Sequence, residues 1–177
     1  MAITMCPTIP GIRMAQTILL DATPRLVRVH LTDDRQSLLT LLRYNRVIEA
    51  FAGVPCYSFL VSAETHVTGL GCVHTDEVCM ALDGCGETRI FAVQARGADE
   101  ALDTEQVERD LAACAARFPG VPCQALGAQL VDLEQIALVD FVQTKDGVRI
   151  GTVKHYRLVT GDRYVSEDEC EYLTSLA

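Results

Sequence analysis

Three side chains within residues 73–97, VHTDEVCMALDGCGETRIFAVQARG, are of types that handle metal ions and phosphates: Asp76, Gln94 and Arg96. A carboxylate and an amide oxygen are hard donors for Mg²⁺, with waters and phosphate oxygens completing the octahedron. A guanidinium grips a phosphate through two parallel N–H bonds. Gln94 and Arg96 are two apart, so on a strand they share a face. Asp76 and Glu77 are adjacent and take opposite faces, so only one can join that pair; Asp76 is the first choice and Glu77 the second.

A hairpin must position them. The runs CMAL and IFAV have the length of buried strands. Asp83-Gly84 and Gly86 between them tolerate positive φ and mark a turn. Upstream, Thr32, Asp33 and Asp34 are N-cap candidates for a helix over about 34–52, with Leu38, Leu41, Leu42, Val47, Ile48 and Phe51 on its apolar side and Gly53 as its stop. Residues 26–31 (LVRVHL) alternate like a short strand, and 54–61 read as another; 62–71 read as a polar connection or the start of the next strand. Downstream, Asp103 and Gln106 have capping-box spacing, and Val107, Leu111, Cys114, Ala115 and Phe118 form a helical stripe ended by Pro119-Gly120. Residues 121–130, 136–143 and 148–159 read as strands, the last two joined at Lys145-Asp146-Gly147. Gly-Val-Pro-Cys occurs at 53–56 and 120–123; each copy is read as helix end, break and strand start.

The chain has 177 residues, 49% of them hydrophobic, which suits one globular domain. Residues 1–24, with Pro7, Pro10 and Pro24, read as an irregular N-terminal segment. Residues 25–165 read as the core with an added C-terminal hairpin, and 166–177 as a short helix. The net charge of −9 opposes non-specific attraction to nucleic acid but leaves room for a local basic groove. The eight cysteines include no C-x-x-C pair and read as reduced thiols of a cytoplasmic protein. No apolar run nears the roughly 20 residues of a membrane span, and no G-x-G-x-x-G or Walker A motif occurs.

The order α-β-β-β-α-β, with an acid on the second strand and Q-x-R ending the third, resembles the PD-(D/E)XK nuclease superfamily, and within it a bacterial endonuclease-like group. The phrases that carry the likeness are LLRYNRVIEAFAG, TDEVCMALDG, FAVQARG, EQVERDLAACAARFPGVPC, IALVDF and KHYRLV, spanning about 41–159. The resemblance implies a restriction-endonuclease-like α/β core with a mixed central sheet. It implies metal-dependent hydrolysis of DNA phosphodiesters with Mg²⁺ or Mn²⁺, in which the ion activates water and neutralises developing charge. Asp76 matches the metal-binding Asp, Gln94 the variable acid or amide, and Glu49 an accessory acid; Glu77 is the reserve ligand. Arg96 stands where the family has Lys; it cannot serve as a base but can clamp phosphate. His74 stands where this group carries an acid. Arg43 and Arg46, with Lys154 and Arg157 of the C-terminal hairpin, are the candidate nucleic-acid contacts.

Commonplace readings stand beside these. Asp76 and Glu77 could be a strand-edge acid pair, Gln94 a partner to a neighbouring strand, and Arg96 a salt-bridge partner of Asp99 or Glu100. Two further functions follow: a catalytically inactive nuclease-fold module that binds a protein partner or nucleic acid, and a plain interaction protein that forms a homodimer through an exposed strand edge.

Overall fold

The computed structural model describes residues 2–3 and 15–161. In chain order they form β1 (Ala2–Ile3), β2 (Gln16–Leu20), α1 (Arg25–Arg28), α2 (Arg35–Tyr44), α3 (Val47–Ala52), β3 (Cys56–Val67), β4 (Gly71–Leu82), β5 (Thr88–Arg96), β6 (Leu102–Asp103), α4 (Thr104–Arg117), β7 (Cys123–Asp132), β8 (Gln135–Thr144) and β9 (Gly147–Val159). Seven strands make one mixed sheet in the order β2-β9-β8-β7-β5-β4-β3, and β1 pairs with β6 apart from it. Pairs β2–β9 and β5–β7 are parallel and the rest of the large sheet is antiparallel. The expected α/β class with a mixed sheet is observed. The expected 166–177 helix, together with Cys6 and Cys170, lies outside the described residues.

Alternation along the strands sends side chains to two helical layers. Phe91, Val93 and Ala95 of β5 and Leu126, Ala128 and Leu130 of β7 pack under Leu38, Leu41 and Leu42 of α2 and Val47 and Ile48 of α3. On the opposite face, Ile90 and Ala92 meet Cys114 of α4, while Ala125, Val139 and Phe141 meet Val107 and Leu111. The connection from β5 to parallel β7 must cross the sheet, and α4 makes that crossing. Gly127 lies below the connection: a Cβ there would come within 2.8 Å of Leu102 Cδ1 and of Val139 Cγ1.

Local chemistry sets the boundaries. The Asp34 carboxylate accepts the Ser37 N–H at 2.7 Å and starts α2. Asp34→Ala is expected to cost about 1 kcal/mol in urea unfolding, the usual worth of an N-cap. Gly53 closes α3 at φ 72°, as read from the sequence. Both Gly-Val-Pro-Cys copies open strands at their cysteine, Cys56 and Cys123.

Four expectations are corrected. The helix over 34–52 is two helices, parted at Asn45-Arg46, where Arg46 takes φ 50°. The Asn45 side chain bonds back to the Leu41 carbonyl and across to Thr23 and Ala22, which draws it out of the helical run. Residues 26–31 contain helix α1, not a strand. Pro24 presets the entry, its carbonyl accepts from Val27 and Arg28, and Leu26 and Val29 stay exposed. The segment 62–71 is mostly strand, because β3 runs through to Val67, and only residues 68–70 connect it to β4 at Gly71. Within the irregular N-terminal segment, β2 is an edge strand, parallel to β9. No helix among the described residues is long and apolar enough to cross a membrane.

Candidate functional site

The β4–β5 hairpin forms, and Asp76 sits where it opens. The ladder between the two strands runs only to Glu77↔Val93. Beyond it the strands part, and the Ala95 N–H donates to Asp76 Oδ2 at 2.9 Å in place of a main-chain partner. Side-chain alternation also slips here. Thr75 faces α4 and donates to Asp110 at 2.9 Å, whereas Glu77, of the same parity, faces α2 and pairs with Arg43. Across from Asp76 on β3 stands Ser62, flanked by the pairs Val61↔Glu77 and Ala63↔Thr75, with φ 49°. Both strands thus change face at one point, and Asp76 fills the gap in the plane of the sheet.

Asp76 is 7% exposed and fully engaged. Arg35 Nη1 donates to Oδ1 at 2.8 Å and Arg96 Nη1 to Oδ2 at 3.1 Å. Glu77 is 0% exposed and holds Arg43 in a fork, Nε to Oε1 at 3.1 Å and Nη2 to Oε2 at 3.0 Å. Cys79 Sγ adds a weak donor to Oε1 at 3.7 Å. Glu49 is on α3 and takes two bonds from Arg46, at 2.8 and 2.6 Å.

Gln94 and Arg96 share a face, as their spacing predicts, and Arg96 joins Asp76. Their remaining bonds hold the chain between β5 and α4. Gln94 Nε2 donates to the Asp103 carbonyl at 3.2 Å, and Oε1 accepts the Asp103 N–H at 2.8 Å. Arg96 Nε donates to the Ala101 carbonyl at 3.2 Å, and Gln129 Nε2 to the Glu100 carbonyl at 2.6 Å. Arg96 therefore pairs with Asp76 rather than with Asp99 or Glu100. His74 is exposed.

Of the proposed ligand set, Glu49 and Glu77 line one groove, and Asp76 does not line it. Asp76 is held by Arg35 of α2 and Arg96 of β5, Glu77 by Arg43 of α2, and Glu49 is occupied by Arg46. Both polar atoms of the Gln94 amide are spent on Asp103. Among the described residues no three His, Cys, Asp or Glu side chains are grouped to hold a metal ion. These donors do not fit Mg²⁺ or Mn²⁺, because guanidinium groups already supply the positive charge that an ion would bring.

The four candidate nucleic-acid contacts are also engaged. Arg43 and Arg46 line a groove of about 400 Å³ with Glu49, Tyr57 and Glu77, each facing its own carboxylate. Lys154 Nζ donates to the Phe51 carbonyl at 3.1 Å and lies 5.1 Å from the centre of the Phe51 ring. Arg157 approaches Glu134 at 3.9 Å. Burial pushes Cys56 up to about 11 and Cys114 up to about 12, so neither is a thiolate near neutral pH.

Arg35 and Asp110 complete the site and were not singled out from the sequence. Each left a trace there. Arg35 puts a cation in the first turn of a helix, against the dipole, which a buried acid offsets. Asp110 is three residues after Val107 and four before Cys114, squarely on the apolar stripe of α4. It is 2% exposed, and its Oδ1 accepts from Thr75 and from Gln106 Nε2, each at 2.9 Å. Gln106 also donates to the His74 carbonyl, so it ties α4 to β4 rather than closing a capping box. The cap is Asp103 alone, accepting from Glu105. On the same helix the buried position is Ala113, not Ala115.

Fold and site together define an α/β protein with a mixed seven-stranded sheet and a cluster of buried carboxylates, two of them closed by arginines. No protein family model, curated protein or solved structure matches the chain.

Proposed function

We propose that this chain is a nuclease-like α/β module that does not cut nucleic acid and acts by binding a protein partner. The observation that carries the reading is the saturation of Asp76: both oxygens are occupied by Arg35, Arg96 and the Ala95 N–H. The element order α2/α3-β3-β4-β5-α4-β7 supports the nuclease-like part. A protein partner is favoured over DNA or RNA because Arg43 and Arg46 are each paired with a carboxylate of this chain and the chain carries −9 overall. What the module offers a partner is its terminal strand: β3 exposes Tyr57, Phe59 and Val61, and Glu64 is its one acidic residue.

Plasmid nicking by the wild-type protein in Mg²⁺, Mn²⁺ and EDTA tests the first part, alongside melting curves with each ion. The expected result is no metal-dependent nicking and no rise in melting temperature, since an ion bound only by the native state would raise it. Metal-dependent nicking that disappears in Asp76→Ala would restore the endonuclease reading. Affinity capture with wild type and Val61→Lys tests the second part. A protein retained by the first and lost by the second supports docking on β3, and sedimentation of the purified chain shows whether that protein is a second copy.

A further inference from the structure

Of the buried acids in this structure, Asp76 faces two guanidinium groups and Glu77 faces one, but Asp110 faces none directly. Its bonds are to a hydroxyl and an amide, both to the same oxygen. A carboxylate this far from water ordinarily needs a cation or several N–H donors to stay charged. Burial works against the charge and outweighs the Gln106 and Thr75 bonds, which favour it. Asp76 of β4 adds a second anion nearby, and Arg96 of β5 offsets part of it while bound to Asp76. β3, β7 and β9, which also touch α4, set no charge against it. The position matters as well. Thr75 and the His74 carbonyl, held by Asp110 and its neighbour Gln106, immediately precede the break in β4.

We propose that Asp110 is a proton-operated latch: uncharged, it holds α4 against the break in β4, and on losing its proton it loosens that contact. Burial, the largest influence, raises its titration to about 7, so the latch works in the neutral range. Thr75 and Gln106 donate to Oδ1 in both states; what changes is the cost of a second buried anion beside Asp76.

Hydrogen exchange, corrected for intrinsic rates, tests the latch on the wild-type protein, on Asp110→Asn and on Thr75→Val. In wild type, protection of residues 71–77 and 104–117 should fall about tenfold per pH unit between about pH 5 and pH 7, then level off, because the opened state releases the proton. Asp110→Asn keeps the acceptor and cannot ionise, so its protection should stay high and lose the slope. Thr75→Val should keep the slope at lower protection. The β8–β9 hairpin serves as an internal control without slope. An unchanged slope in Asp110→Asn, or an equal slope across the whole chain, would overturn the proposal. So would a carboxyl ¹³C titration of wild-type Asp110 at an ordinary aspartate value, a measurement that needs no variant to fold.

Discussion

Arg43→Met is expected to destabilise the protein by about 3–5 kcal/mol, the usual cost of leaving one member of a buried ion pair alone. Glu77 has no exposure and, among the described residues, no other cation in an ion pair with it; Cys79 adds only a weak donor. Met replaces the Arg stem in volume, so the loss reports the stranded charge rather than a cavity. The reverse change should cost less. In Glu77→Gln the partner left behind is Arg43, whose side chain is 31% exposed and can reach water. The double variant should recover most of the loss, since a neutral amide beside a thioether strands no charge. Urea unfolding of the four proteins measures the cycle. Single losses under about 1 kcal/mol, adding without coupling, would show that the pair behaves like a surface salt bridge.

Asp110→Asn carries the second large effect, and its sign depends on pH. The folded carboxyl titrates at about 7 and the unfolded one near the ordinary aspartate value of 3.8, so between those values the native state holds a proton that the unfolded chain has released. Stability therefore falls as pH rises through that window and flattens above it. The wild type should lose as much as about 4 kcal/mol between pH 4 and pH 8 from this group alone, at 1.36 kcal/mol per pKa unit. Asn accepts the Thr75 and Gln106 bonds without a charge. The variant should be near wild type around pH 4 and more stable by a few kcal/mol at pH 8. Denaturant midpoints across that range decide it; parallel profiles would place the wild-type slope elsewhere. The effect is opposite in sign to that of most salt-bridged acids, whose charge stabilises the native state as pH rises.

Much of the frame could be read locally. Turn residues at Asp83-Gly84 and Gly86, apolar runs on either side, a stop at Gly53 and a break at Pro119-Gly120 each act through their own backbone preferences, and each mark is where the chain turns or ends an element. The same local logic failed where a distant partner outweighed it. Asn45 ends α2 because Thr23 and Ala22 are there to bond its amide. Residues 26–31 alternate, but no strand lies beside them to make the alternation a face. The residues 16–20 enter the sheet only because β9 arrives about 140 positions later to pair with them.

The site divides in the same way. That Arg96 would share a face with Gln94 follows from a period of two and was decided by the sequence alone. Which cation each acid would meet was not. Arg35 and Arg43 are 41 and 34 residues from Asp76 and Glu77, and their reach depends on where α2 lies across the sheet. The slip in alternation at Asp76 exists only because Ser62 on a neighbouring strand slips with it. A carboxylate in a sequence is equally a metal ligand, a salt-bridge partner or a protonated acid. Burial and the nearest charge choose among them, and those arise only when the sheet and its helices close over Asp76, Glu77 and Asp110.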